Sequence, residues 1–319
     1  MLSKLKGMFA PKDGPGEVPE LPPGPKPRPG RVNIAKRFAT IAETSQGSMS
    51  RVVKAVDNET GATVCLKIQT ADKQEEAMAR AHRDRPPEGE IGMRVVHPHV
   101  ARTLEYGRSN RGENYVVMEY VDGVSLKYVR ENLALNLRGK LKLLAQAADG
   151  LAAVHAAGFI HHDINPRNLL VNRENLVKLI DFGLSVPNTP TFRRPGNRTG
   201  ALEYMAPELI RREPKDERLD IFAFGALAFE LLTNRLPYEG GGTGNMMAMM
   251  LQRMNSDPLD PAQVAPHLPE DLCELLRKVL ARKKEARWPS MATLSAEIEA
   301  IRVAEHARRA ADKGEPPRA

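Results

Sequence analysis

Between Phe38 and Met118 the apolar residues come in short runs with the two-residue period of strands. Phe38–Ala42, Val52–Val56, Val64–Ile68, Val100–Tyr106 and Tyr115–Tyr120 are rich in β-branched and aromatic residues. Turn signals separate them, the clearest being Asp57-Asn58-Glu59-Thr60-Gly61. A helical stretch interrupts the strands and is predicted to begin at Pro86-Pro87, because proline suits a helix's first turn. Past residue 125 the period becomes helical. Leu141, Leu144, Ala145, Ala148, Leu151 and Ala152 mark an amphipathic helix to about Ala157. Ile221–Leu232 is apolar nearly all round, as expected of a helix buried at the centre of a lobe. Leu272, Leu275, Leu276, Val279 and Leu280 form another stripe, and Ser290–Ala310 a last helix. The predicted fold is α+β and bilobal: a small, mainly antiparallel β lobe with one helix, then a larger, mainly α lobe.

Residues 11–31 are crowded with Pro and Gly and have too little apolar content to pack, so residues 1–34 are expected to be a disordered arm. Folded chain is expected over 35–302, with the small lobe at about 35–118, a connector at about 119–123 and the large lobe at about 124–302. A basic tail follows over 303–319.

Composition narrows the function classes. At 319 residues the chain can build two lobes sharing a cleft, and 41% hydrophobic with 27% charged residues is ordinary for a globular protein. Two distant cysteines, Cys65 and Cys273, give no disulfide framework, which suits a reducing, cytoplasmic setting. No apolar run approaches the ~20 residues that span a bilayer, and the start lacks the apolar stretch of a signal peptide. The net charge of +7 is concentrated toward the two ends and reads as solvated tails. It is not interleaved with aromatics, so nucleic acid is not an expected partner.

The chemistry is concentrated in His161-His162-Asp163-Ile164-Asn165-Pro166-Arg167-Asn168, followed by Asp181-Phe182-Gly183. Between them, Leu169-Leu170-Val171 and Val177-Lys178-Leu179-Ile180 are short apolar runs able to pair. Phosphoryl transfer needs a carboxylate beside the acceptor hydroxyl and oxygen ligands for Mg²⁺ in fixed register. An isolated Asp-Phe-Gly marks only a turn; combined with HxDxxxxN at this remove it is specific. The segment resembles the catalytic loop and magnesium motif of eukaryotic-type (Hanks-type) serine/threonine protein kinases, and the likeness runs from about residue 36 to about residue 300. The resemblance implies ATP as phosphoryl donor and a protein as substrate. It makes Asp163 the base or hydroxyl-orienting carboxylate, with Asn168 and Asp181 as ligands of Mg²⁺ (or Mn²⁺).

Further positions follow from the same resemblance. Lys67, in Val64-Cys65-Leu66-Lys67-Ile68, would bind the α- and β-phosphates, with Glu88 as its partner and Glu90 as the runner-up. The glycine-rich loop falls on Ser45-Gln46-Gly47-Ser48-Met49-Ser50-Arg51-Val52, where Gly47 alone survives of three glycines; Ser45 and Ser50 replace the others. Backbone N–H groups approach phosphate most closely where no Cβ intervenes, so a stiffer loop and weaker ATP binding are expected. Met118 would be the gatekeeper, Glu119 and Val121 would meet the adenine edge, Val52 and Cys65 would roof the ring, and Leu170 would floor it. Ala206-Pro207-Glu208 closes the activation segment, Asp220 anchors the catalytic loop, and Arg287 pairs with Glu208 in a buried structural ion pair.

Departures from the family pattern shape the expected mechanism. His162 replaces the arginine before the catalytic aspartate, so turnover is not expected to require phosphorylation at Thr189, Thr191 or Thr199. Asn165 stands in for a lysine, taking a charge away from the γ-phosphate and slowing the chemical step. Ala201 replaces a threonine that normally bridges Asp163 and that lysine, so two links of one network are expected to be missing. Arg167 would favour acidic substrates and Glu230 basic ones. The methionines at 246, 247, 249, 250 and 254 read as core packing of a helix. Alternatives are a pseudokinase or nucleotide-binding scaffold, favoured by the lost glycines and Asn165, and a small-molecule kinase, disfavoured by Ala206–Glu208 with Arg287.

Overall fold

The computed structural model describes residues 25–44, 50–69, 85–238 and 246–312. The small lobe is built from β1 (Arg31–Val32), the single turn α1 (Ile34–Arg37), β2 (Phe38–Thr44), β3 (Ser50–Asp57), β4 (Thr63–Gln69), α2 (Glu88–Arg94), β5 (Thr103–Ser109) and β6 (Asn114–Glu119). These strands form one sheet in the order β1-β5-β6-β4-β3-β2, antiparallel throughout except that β1 runs parallel to β5. Alternation in β4 sorts its side chains. Val64, Leu66 and Ile68 pack with Phe38, Val53, Ala55, Tyr115 and Val117 on one face, leaving Cys65 and Lys67 on the other. Glu88 of α2 reaches Lys67 on that second face.

Two expectations are corrected here. The disordered arm drawn over 1–34 does not hold for residues 25–34. Arg28 N–H donates to the Tyr106 carbonyl at 2.8 Å, the Tyr106 hydroxyl donates to the Pro25 carbonyl at 2.6 Å, and β1 joins the sheet edge. A proline-rich segment builds no sheet of its own but can dress the edge of an existing one. The strand expected at Val100–Tyr106 lies instead at Thr103–Ser109. Val100 and Ala101 are taken up by the large lobe, Val100 bridging to Leu179 and Ala101 N–H donating to the Leu179 carbonyl at 2.8 Å.

The large lobe continues with β7 (Gly123–Ser125), α3 (Leu126–Asn132), α4 (Leu137–Ala156), β8 (Phe159–Ile160), β9 (Leu169–Asn172), β10 (Val177–Leu179), β11 (Val186–Pro187), α5 (Pro190–Arg193), α6 (Pro207–Ile210), α7 (Arg218–Thr233), α8 (Met246–Asn255), α9 (Pro261–Val264), α10 (Glu270–Val279) and α11 (Met291–Asp312). The Asn136 side chain caps α4 by accepting from Gly139 N–H at 2.9 Å. Every residue of α7 from Leu219 to Leu232 is buried, as a sequence apolar nearly all round dictates, and Asp220 and Glu230 are buried with it. α10 lies so close to α7 that a Cβ on Gly225 would come within 2.6 Å of a Val279 methyl. Helix α11 runs on to Asp312, so residues 303–312 of the expected tail are helical. Of the methionines on α8, Met250 and Met254 pack on Met205, Leu209 and Ile210, whereas Met246 and Met247 are exposed, so the core-packing expectation holds for only part of the set.

Candidate active site

Residues of β4 with α2, of the loop between β8 and β9, and of the stretch after β10 that carries Asp181 converge between the lobes. From β4, Lys67 Nζ lies 2.7 Å from Glu88 Oε1 and 2.8 Å from Asp181 Oδ1, and it is 8% exposed. Gln69 adds a bond to Glu88 Oε2 at 3.2 Å. Burial opposes the charge on Lys67, but the carboxylates of Glu88 and Asp181 outweigh it and raise its pKa, so the ammonium is retained. Burial likewise works against the Asp181 carboxylate, and Lys67 with the Gly183 N–H overcomes it to lower the pKa. Glu90, the runner-up, instead pairs with Arg94 one turn along α2 at 2.8 Å.

The second segment is the loop between β8 and β9. Asp163 has both carboxylate oxygens engaged. Oδ2 accepts from the Asn168 amide at 2.8 Å, and Oδ1 accepts from the Asn165 amide and from Ala201 N–H, each at 3.1 Å. The threonine and lysine side chains of the expected network are absent, yet Asp163 itself keeps contacts from these positions, through the Asn165 amide and the Ala201 N–H. Gly200 makes this approach possible. Its φ is +88°, and a Cβ there would sit 2.5 Å from the His162 carbonyl. His162 and Asp181 themselves hold φ of 69°, a left-handed conformation uncommon for side-chain-bearing residues and found at sites that surrounding contacts over-determine.

Buried anchors hold this loop. Asp220 at the start of α7 is fully buried, accepting from His161 N–H at 2.7 Å, His162 N–H at 2.8 Å and the His155 ring at 2.9 Å. Burial pushes its carboxyl up, but the bond and charge of His155 win and hold its pKa low. The Phe182 ring packs against His161 at 5.5 Å with the ring planes tilted by 55°, and the His162 ring meets the Thr199 hydroxyl at 3.1 Å. The His162 imidazole is pushed down to about 3, chiefly by burial, so it is neutral at physiological pH. Beyond α6, Arg287 forks onto Glu208 at 2.7 and 2.8 Å, both buried.

The cleft face of the sheet carries Val52, Cys65 and Lys67 together. Val52 pairs with Lys67 across β3–β4, and Cys65 pairs with Met118 across β4–β6. Ser50 sits at the start of β3, while Ser45 and Gly47 lie outside the described residues. Glu119 ends β6 with its side chain on Lys178 at 2.6 Å; Val121 follows it, half-buried. Leu170 on β9 faces Lys178 and Ser125 in register. Of the threonines, Thr189 precedes α5, Thr191 is exposed within it, and Thr199 is the one that touches the site.

Glu230 is 5% exposed and already paired, with Arg130 at 3.0 Å and the Tyr204 hydroxyl at 2.6 Å. Arg167 is exposed. Sequence reading passed over Arg85, which donates to the carbonyls of Ser185, Phe182 and Gly183 at 2.7, 3.1 and 2.6 Å, and over Arg253. Arg253 is 2% exposed and donates to the carbonyls of Glu203 and Met205. A guanidinium that cradles backbone carbonyls has no fixed partner type in sequence, so no spacing could have flagged either one.

Asn168 Oδ1 and Asp181 Oδ2 take no hydrogen bond from the described residues, because the amide of Asn168 is spent on Asp163 and Lys67 sits on Oδ1 of Asp181. Two free oxygen donors of this kind fit a hard divalent cation such as Mg²⁺, which keeps several waters, and no denser metal cluster occurs among the described residues.

Comparison with known proteins agrees with this geometry. The family model for the protein kinase domain matches residues 38–297. The probable serine/threonine-protein kinase pknA2 of Bifidobacterium longum is 28% identical over 272 residues, covering 83% of this chain and 35% of its own length. Serine/threonine-protein kinase pkn3 of Myxococcus xanthus is 28% identical over 282 residues, covering 84% of this chain and 50% of its own. PknB of Mycobacterium leprae is 27% identical over 279 residues, covering 86% and 42% respectively. The chain thus spans about a third to a half of these relatives' lengths. Because the matched region takes in the β4 lysine, the loop of Asp163 and the buried Glu208–Arg287 pair alike, the chain belongs to the protein kinase family.

Proposed function

We propose that this chain is a serine/threonine protein kinase that moves the γ-phosphate of ATP to hydroxyls of protein substrates. The observation that carries the reading is the meeting of Lys67, Glu88 and Asp181 on one side of the cleft with an oriented Asp163 on the other. In this reading the Lys67 ammonium, held by Glu88, attracts the α- and β-phosphates. Asp163, its carboxylate fixed by three donors, accepts the hydrogen bond of the incoming hydroxyl and orients it for attack. Val52, Cys65, Met118, Glu119, Val121 and Leu170 would enclose the adenine. Asn168 and Asp181 would hold Mg²⁺ or Mn²⁺, which neutralises phosphate charge when bound.

The departures refine this proposal. Asn165 brings a hydrogen bond to Asp163 but no charge to the γ-phosphate, so the chemical step is slower than with a lysine there. A neutral, buried His162 bonded to Thr199 offers no cation to an activation-segment phosphate. Turnover therefore persists when Thr189, Thr191 and Thr199 are all alanine. The two free thiols suit a cytoplasmic setting, and no helix among the described residues is long and apolar enough to cross a membrane. Phospho-residue analysis after incubation with Mg·ATP and generic proteins tests the specificity. Phosphoserine or phosphothreonine is expected; phosphotyrosine alone, or transfer only to a small molecule, would overturn it.

A further inference from the structure

Helix α2 carries Glu88 and has a Glu90–Arg94 ion pair at 2.8 Å along its own length. It is seven residues long, starts at Pro87 without a side-chain cap, and so depends on tertiary contacts for its pose. Those contacts are unusually close. A Cβ on Gly89 would lie 2.2 Å from Tyr106 Cβ, and one on Gly92 would lie 2.2 Å from Thr103 Oγ1. Tyr106 and Thr103 stand on the sheet face of Lys67 and Cys65, since Tyr106 pairs with Val116 opposite Lys67 and Thr103 with Met118 opposite Cys65. The position of Glu88 thus follows the position of Tyr106, which abuts the very next residue of the helix.

Tyr106 is in turn held from the N-terminal side. Its hydroxyl donates to the Pro25 carbonyl at 2.6 Å, and its own carbonyl accepts from Arg28 N–H at 2.8 Å. The preceding residue, Glu105, accepts from the Arg28 guanidinium at 3.1 Å, while Arg28 also reaches Glu59 at 2.8 Å. β1 then runs beside β5, with Arg31 opposite Arg108 and Val32 opposite Ser109.

We infer that residues 25–32 are a strap that positions Tyr106 and, through its packing on Gly89, sets α2 so that Glu88 meets Lys67. Tyr106 is then a positioning residue for phosphoryl transfer, acting through Glu88 without touching substrate. The inference rests on the reading of the Lys67–Glu88 pair as part of the transfer machinery.

The test uses the full chain with two strap variants. Arg28→Glu sets a negative charge against Glu59 and Glu105; Tyr106→Phe removes only the hydroxyl. Backbone hydrogen exchange over residues 88–94 is read together with kcat and the KM values for ATP and protein substrate. Glu88→Gln with an intact strap is the control. Losing one hydrogen bond of ordinary net strength corresponds to about a three- to tenfold change. Exchange in α2 is expected to speed up by that factor in Tyr106→Phe and by at least as much in Arg28→Glu, which loses three bonds, and kcat to fall in parallel, while exchange in α7 and the KM for protein substrate stay put. Unchanged exchange in α2 in both variants overturns the inference. So does faster exchange with wild-type kcat while Glu88→Gln is inactive, a result that leaves the site reading intact. A fully active Glu88→Gln would instead sink the site reading, and the inference with it.

Discussion

Replacing Arg287 by methionine removes a charge from the most enclosed ion pair in the large lobe while keeping much of the side-chain volume. The Arg287 side chain is 0% exposed and that of Glu208 4%. Besides its two bonds to Glu208, the guanidinium donates to the carbonyls of Ala281 at 2.8 Å, Arg218 at 3.0 Å and Arg282 at 3.2 Å, and its central carbon lies 4.8 Å from the Phe222 ring centre. Methionine satisfies none of these acceptors and leaves the Glu208 carboxylate buried without a counter-charge. Breaking a buried pair from one side costs about 3–5 kcal/mol. For a domain of this size each kcal/mol moves the melting temperature by roughly 2–4 °C, so a fall of about 8–16 °C is expected for a loss near 4 kcal/mol. Adding Glu208→Gln removes the orphaned charge. The double variant should therefore be less destabilised than the two single effects summed, with a coupling of about 2 kcal/mol. Thermal and urea denaturation of the four proteins at pH 7 measures this. A melting shift under about 2 °C for Arg287→Met, or strict additivity, would refute the reasoning.

Three shorter predictions concern the cleft. Gly200→Ala forces a Cβ into a left-handed residue against the His162 carbonyl and displaces the N–H of Ala201 from Asp163; it should lower kcat at least about tenfold and stability by about 1–2 kcal/mol, and a wild-type kcat would contradict the role given to that N–H. Burial pushes the Cys65 thiol up to about 11, so alkylation at pH 7 should run about a hundredfold slower than at an ordinary thiol and slow further with Mg·ATP; equal labelling rates with and without nucleotide would remove Cys65 from the pocket. His162 titrates near 3 when folded but near ~6.5 when unfolded, so the unfolded chain alone takes up the proton as pH falls below 6.5. The stability it supports is complete above 6.5 and erodes toward 3, by about 2 kcal/mol at pH 5, and His162→Gln should flatten the acid limb of a stability–pH curve by that amount; parallel curves would refute it.

Asp163, Asn168 and Asp181 were read from residue types and spacing that phosphoryl transfer constrains together, and Lys67 from the resemblance alone; the fold brings the four side chains to one cleft. The long helices α4, α7, α10 and α11 were equally legible, since α7 is apolar nearly all round and α10 carries a periodic apolar stripe. What escaped depended on tertiary partners. The strand at Val100 was misplaced because its apolar start serves the other lobe through Leu179. Residues 25–34 were read as an arm because proline content describes what a segment cannot build alone, not what it can lie against. Glu230 was free on paper but is claimed by Arg130 and Tyr204. Ala201 looked like a missing link, yet the link is made by its backbone, which no side-chain comparison detects.

The central claim, phosphoryl transfer through Asp163 and Lys67, is tested most directly by following γ-phosphate from Mg·ATP onto the protein itself and onto generic protein substrates, with Asp163→Asn and Lys67→Met beside the wild type. The account predicts transfer by the wild type that vanishes in both variants while Asp163→Asn still binds nucleotide. A wild type that binds nucleotide yet transfers no more than the two variants would contradict it.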